Sequence, residues 1–206
     1  MPSQTYTLYG RSGTGSAAIE AVLEEAGQPY DVVEAETEAV LALNPLGQVP
    51  VLVLPSGDVM TESAAIVLYL ADRHRDAALA PSPDAPLRAP YLRWMVFMAA
   101  NSYMAHLRFH SPARHTDDPG GADAVKSAAD ADLNRQFAIL ADALGEGPWL
   151  LGDTFSALDL YAPMMVAWAS EVPAVFNRHP NLAQHYKRVN ARPKVGPVWA
   201  RHGMNY

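Results

Sequence analysis

The chain of 206 residues has no cysteine. That absence excludes disulfides, thiolate metal ligands and cysteine nucleophiles. No apolar run reaches the roughly 20 residues that a helix needs to cross a bilayer, so no membrane partner is expected. Charge is sparse, at 18% of residues, and acidic, with 22 Asp and Glu against 15 Lys and Arg. A net charge of −7 gives nucleic acid no electrostatic footprint to meet. The amino-terminal residues lack a basic stretch followed by an apolar one. No secretory signal is therefore expected, and the expected setting is cytoplasmic.

Hydrophobic residues make up 50% of the chain, enough for one large core or two smaller ones. The charge is unevenly divided. Residues 1–80 hold 11 acidic and 3 basic residues, and residues 81–206 hold 11 and 12. The change coincides with Pro81-Ser82-Pro83-Asp84-Ala85-Pro86, a linker by composition. The expected domains are 1–80 and 87–206, joined by 81–86.

The first domain reads as strand, helix, strand, loop, strand, strand, helix. The strands are Thr5 to Tyr9, Tyr30 to Val33, Val51 to Leu54 and Val59-Met60. The helices are Ala17 to Ala26, stopped by Gly27, and Ser63 to Arg73. That order is the order of a thioredoxin-like α/β unit. The second domain reads as all helix, with long helices at Leu87 to His110 and Ala122 to Leu144. A third opens at Ser156-Ala157-Leu158-Asp159, a capping-box spacing. A fourth runs from Asn181 to Asn190.

Two short stretches carry chemistry. Asn44-Pro45-Leu46-Gly47-Gln48-Val49-Pro50 reads as a loop delivering Val49-Pro50 to a strand. An X-Pro bond is where a cis peptide is cheap. Val49 would then offer its backbone N–H and C=O to an extended peptide. Glu62-Ser63 stands at a helix start, where free amides and the helix dipole favour a carboxylate, and the Glu62 side chain suits an ammonium. The pair describes a receptor for a small zwitterionic peptide.

These stretches resemble the glutathione transferase superfamily. So do Leu8-Tyr9, residues 23–27, Glu62-Ser63-Ala64-Ala65-Ile66, and Trp149-Leu150-Leu151-Gly152-Asp153 with Ser156-Ala157-Leu158-Asp159-Leu160. The resemblance implies a thioredoxin-like domain followed by an all-helical domain, a homodimer, and an active site in the cleft between domains. It implies that Glu62 and Ser63 hold the γ-glutamyl end of glutathione, that Val49 pairs with its cysteine, that Pro50 is cis, and that Gln48 reaches its glycine end.

The family lowers the thiol pKa of glutathione with a hydroxyl or amide donor near the first helix. This chain offers Tyr9, Ser12, Thr14 and Ser16, with Ser12 and Thr14 favoured. Gly15 stands where bacterial relatives that use cysteine would carry it, so protein-disulfide chemistry is excluded. The segment Glu34-Ala35-Glu36-Thr37-Glu38-Ala39 is short and acidic where many relatives hold a basic residue for the glycine carboxylate; Arg11 is a candidate to compensate. Tyr103, His106 and His110, three and four residues apart on one helix face, are candidates for the acceptor pocket. Without a third ligand the two histidines do not make a metal site.

The implied activity is attack of the activated thiol on a small hydrophobic electrophile, as in detoxification. Isomerase, peroxidase or ether-cleaving chemistry would use the same thiolate. A non-catalytic binding module on the same fold is the alternative.

Overall fold

A computed structural model describes residues 5–34 and 36–206, and for Thr37 the backbone alone. One compact unit ends at Arg88 and takes in Arg188–Asn205; the other is Ala89–Lys187 with Tyr206. The sequence reading assigned all of 87–206 to the helical domain, and the compact units differ from it in placing Arg188–Asn205 with the first unit.

In the first unit, β1 (Tyr6–Gly10), β2 (Tyr30–Glu34), β3 (Val51–Val53) and β4 (Val59–Met60) form one sheet in the order β2-β1-β3-β4. β2 runs parallel to β1, and β3 and β4 run antiparallel. Side chains alternate along β1 because successive Cβ atoms point to opposite faces. Tyr6, Leu8 and Gly10 are buried, while Thr7 and Tyr9 are half-buried.

Helix α1 (Ser16–Ala26) packs on β1 and on α3 (Ser63–Arg73). Gly10 is obligatory at this contact. A Cβ there would lie 2.6 Å from Ser16 Cβ.

The opposite face holds a helix that the sequence reading did not anticipate, α2 (Thr37–Leu41). Its Val40 is buried with Val51 against Tyr9, Leu43 and Val49. The acidic stretch read as loop therefore supplies a helix start. Glu36 and Glu38 are exposed at that amino end, where the dipole favours negative charge. Ala35 lies outside the described residues.

The second unit is helical: most of α4 (Arg88–Phe97), a π-helical turn (Met98–Tyr103), α5 (Met104–His110), α6 (Ala122–Leu144), α7 (Leu158–Ala167), α8 (Val172–Arg178) and the first part of α9 (Pro180–Asn190). The expected single helix 87–110 is thus interrupted by a wider turn. Such a turn rotates the residues after it about the helix axis. Methionines 95 and 98 are core, but Met104, past the π turn, is 39% exposed. The last helix, α10 (Gly196–Arg201), belongs to the first unit and buries Val198 and Trp199.

The capping box forms as its spacing predicts. Ser156 N–H donates to Asp159 Oδ2 at 2.9 Å, and Leu158 N–H donates to Ser156 Oγ at 3.3 Å. Asp159 is fully buried and also accepts from Leu150 N–H, at 2.9 Å. No described helix is long and apolar enough to cross a membrane.

Candidate active site

The sheet registers bring three separated pieces to one edge of the first unit. β1 pairs Tyr9 with Val51, and β3 pairs Leu52 with Met60. Continuing those registers sets Arg11 opposite Val49, Pro50 opposite Glu62 and Val49 opposite Ser63. β2 adds Glu34, opposite Gly10. The turn after β1, the Val49-Pro50 dipeptide and the start of α3 therefore meet where the chain leaves β1 and enters β3. Open α/β sheets bind ligands at such ends.

The Val49–Pro50 peptide is cis. Among the described residues, no hydrogen bond reaches the Val49 N–H or C=O. The loop before it is shaped by Asn44, which the sequence reading did not single out. Asn44 Nδ2 donates to Gln48 O at 2.8 Å, Asn44 Oδ1 accepts from Leu46 N–H at 3.1 Å, and Asn44 O accepts from Gly47 N–H at 2.8 Å. A buried amide side chain in a turn is a positioning signal, and it was legible in Asn44-Pro45. Gln48 itself is exposed.

Glu62 has φ 66° and ψ 99°, one of two described non-glycine residues at positive φ. A conformation of this kind costs roughly 1–3 kcal/mol and persists where surrounding structure imposes it, often at ligand sites. Its carbonyl receives the first helical bond of α3, from Ile66 N–H at 3.0 Å. Its side chain is exposed and caps nothing. Ser63 follows as a buried first residue of the helix.

The turn from Gly10 to Ser16 is tied internally and to the carboxyl-terminal segment. Thr14 Oγ1 donates to Arg11 O at 2.7 Å, Ser16 Oγ donates to Arg11 O at 2.9 Å, and the two hydroxyl oxygens lie 2.8 Å apart. A hydroxyl carries one proton, so Arg11 O absorbs the donor capacity of both. Ser12 Oγ donates to Arg201 O at 3.0 Å. Gly13, at φ 72°, donates its N–H to His202 Nδ1 at 3.1 Å.

Tyr9 is half-buried against Val40 and Val51, and among the described residues its hydroxyl has no hydrogen-bond partner. Gly15 N–H is also without one. Arg11 and Glu34 line a recess of about 190 Å³ beside the turn, with Ser12 and Arg201; Val49, Glu62 and Ser63 do not line it.

The carboxyl-terminal partners were missed from sequence. His202 Nε2 lies 2.9 Å from Glu20 Oε2, and Arg201 Nε donates to Glu20 Oε1 at 2.9 Å. Burial pushes the Glu20 carboxyl up, but the bonds from His202 and Arg201 outweigh it and hold it below its ordinary value. Further along α1, Arg192 forms a forked pair with Glu25, at 2.6 and 3.0 Å. A signal was available: residues 188–205 carry four Arg and Lys and no Asp or Glu, while the first 80 residues are strongly acidic.

On the helical unit, Tyr103, His106 and His110 gather as their spacing predicts, around Trp168. Tyr103 and His106 meet its ring edge-on, at centroid distances of 5.2 and 5.6 Å, and His110 Nε2 is 3.0 Å from its carbonyl. His106 stacks on His110 at 5.9 Å. Burial, then the neighbouring His110, pulls His106 down to about 3, so it is neutral near pH 7. Tyr103 is half-buried and His110 is exposed. Among the described residues, no group of three or more His, Asp or Glu could hold a metal ion.

Residues 16–73 match the family model for the glutathione S-transferase N-terminal domain, and residues 106–197 match that for the C-terminal domain. The chain is 31% identical to the uncharacterised GST-like protein YncG of Escherichia coli K12, over 95% of this chain and 97% of that one.

The chain belongs to the glutathione transferase family.

It is also 27% identical to the glutathione S-transferase GstA of Escherichia coli O157:H7, over 96% of this chain and 98% of that one. Among solved structures, a beta-class glutathione S-transferase of Sphingomonas chungbukensis superposes with a TM-score of 0.83 at 30% identity, covering 97% and 100% of the two chains. A glutathione transferase homolog from Sulfitobacter, solved with glutathione bound, gives 0.88 at 25% identity, covering 98% and 100%. The fold expected from the sequence, a thioredoxin-like α/β part with an all-helical part, is the fold of this family.

Proposed function

We propose that this protein is a glutathione transferase that binds glutathione at the sheet end and activates its thiol toward a small hydrophobic electrophile. The observation that carries the reading is the Val49 backbone, unpaired among the described residues, at the cis Pro50 that enters β3, with strained Glu62 and helix-starting Ser63 following β4, the strand paired with β3. Glutathione is an extended zwitterion. Its backbone would pair with Val49, its γ-glutamyl carboxylate with the Ser63 end of α3, its ammonium with Glu62, and its glycine end with Gln48. Arg11 is the candidate basic group on the turn. Exposed Glu34, Glu36 and Glu38 would repel a carboxylate brought close to them. Homodimer formation and a cytoplasmic setting belong to the same proposal.

For the thiol donor the hydrogen bonds favour a different order from the one read from sequence. Ser12, Thr14 and Ser16 spend their protons on carbonyls, which suits them to shaping the turn. Tyr9, with the Gly15 amide, becomes the leading donor to a thiolate. Tyr103 and His110 are candidate contacts for the electrophile, with buried neutral His106 supporting them.

The same spent hydroxyls favour a second reading, a binding module that holds glutathione without activating it. The test is calorimetric titration with glutathione, alongside the variant Glu62→Ala with Ser63→Ala. The reading expects binding to the native chain and a loss of about 100-fold or more in the variant, at little change in Tm. Equal affinity in the two would remove the site assignment. Binding with no turnover of any electrophile would favour the binding module.

A further inference from the structure

Glu20 is a carboxylate buried to 4% exposure in a helix whose residues from Ser16 to Leu23 are all buried. A buried charge persists where it is paired and hydrogen-bonded. The partners here come from the far end of the chain, Arg201 and His202. The guanidinium supplies the countercharge, and the histidine does more than donate to Glu20. Its Nδ1 accepts the Gly13 N–H, and a ring nitrogen that accepts carries no proton. The other nitrogen, Nε2, therefore carries the proton and donates it to Glu20. The relay Gly13 N–H to His202 to Glu20 runs in one direction, and the Ser12 hydroxyl adds a parallel tie to Arg201 O.

We infer that the carboxyl-terminal segment is a latch, in which Glu20 and His202 act as positioning residues that hold the Gly10–Ser16 turn in the geometry its remaining donors need. The inference rests on the glutathione reading above and adds residues that reading does not use. Ser12 and Gly13 are held by the tail, so they do not serve the sulfur. Held there, they fix the backbone of Thr14 and Gly15, whose amides lead into α1. Hydrogen-bond strength falls steeply with misplacement of the donor, so a loosened turn stabilises a thiolate less well.

Two readouts test it on the full-length chain. The first needs no ligand: amide hydrogen exchange at Gly13 and Thr14. Protection is expected in the native chain and in His202→Asn, whose Oδ1 overlays the accepting Nδ1. Protection should drop about tenfold or more in His202→Ala. The second is the thiol pKa of bound glutathione, read from thiolate absorbance against pH. It should rise by about one unit in His202→Ala, with affinity within about threefold of native, and return toward the native value in His202→Asn. Glu20→Gln, which keeps the shape but loses the charge, should shift it in the same direction, and serves if His202→Ala does not fold. Unchanged exchange at Gly13 in His202→Ala overturns the latch. Lost protection with an unmoved or lowered thiol pKa overturns its role in positioning. A native chain that binds no glutathione defeats the proposed glutathione function instead, and leaves the exchange result to decide the latch.

Discussion

Two buried carboxylates, one in each unit, are each met by a histidine Nε2. Asp159 takes His185 at 2.8 Å and Glu20 takes His202 at 2.9 Å. Their other partners differ. Asp159 is bound by Leu150 and Ser156, no more than nine residues away, and it closes a helix start. Glu20 is bound by Arg201 and His202, which are 181 and 182 residues away, and through His202 it reaches the turn beside the candidate site. The same chemistry thus serves a local fold anchor in one unit and a distant tie to the backbone of the Gly10–Ser16 turn in the other. Deep pairing of a carboxylate does not by itself tell the two uses apart; for Glu20 it is the second nitrogen of His202, on Gly13 N–H, that points to the turn.

The comparison can be broken most sharply at Asp159. Replacing it with alanine strands buried donors on Leu150, Ser156 and His185, and should cost about 4 kcal/mol in denaturant unfolding. The affinity of the folded fraction for glutathione should not change. A change in affinity would mean the local anchor also serves the site.

On the other side, Gly10→Ala forces Ser16 away from its bond to Arg11 O. It should cost about 2 kcal/mol and lower glutathione binding as well. A variant that is less stable but binds normally would separate the turn from the site.

His106 sharpens the comparison as a buried histidine that packs on aromatic rings and His110. Its folded pKa is depressed, so the unfolded chain takes up more protons. Its contribution is full above the ordinary value of 6.5 and is lost as pH falls toward about 3. His106→Gln should flatten the stability–pH slope in that window by about 1 kcal/mol per pH unit. An unchanged slope would place the acid sensitivity elsewhere. Glu20, held low, keeps its contribution above its ordinary value of 4.5 and loses it as pH falls through its lower folded value.

The smallest effect belongs to the exposed end of the tail. Arg192→Ala should cost about 1 kcal/mol, because its forked pair with Glu25 is only part-buried. It should leave exchange at Gly13 unaltered. Loss of protection there would extend the latch along the whole of α1.

How far the sequence could be read follows the same division between local and distant. The succession of strands and helices in the first domain, the capping box and the Tyr103–His106–His110 face depend on neighbours a few residues away, and their spacing carried them, while the cis Val49–Pro50 bond came from the family resemblance. Helix α2 escaped because three glutamates masked Val40, the one buried position among its described residues. The π turn at Met98–Tyr103 has no composition that marks it. The hydroxyls of Ser12, Thr14 and Ser16 looked available because nothing local revealed that Arg11 O and Arg201 O take their protons. Glu20 stands between Ile19 and Ala21 with no local partner to mark it, and only the fold brings His202 onto it.

The most direct measurement is the ultraviolet difference spectrum of the native protein with glutathione, followed across pH. The account predicts a saturable thiolate band with a midpoint near neutral, well below that of free glutathione, and its loss in Glu62→Ala with Ser63→Ala. No band and no binding at millimolar glutathione would contradict it.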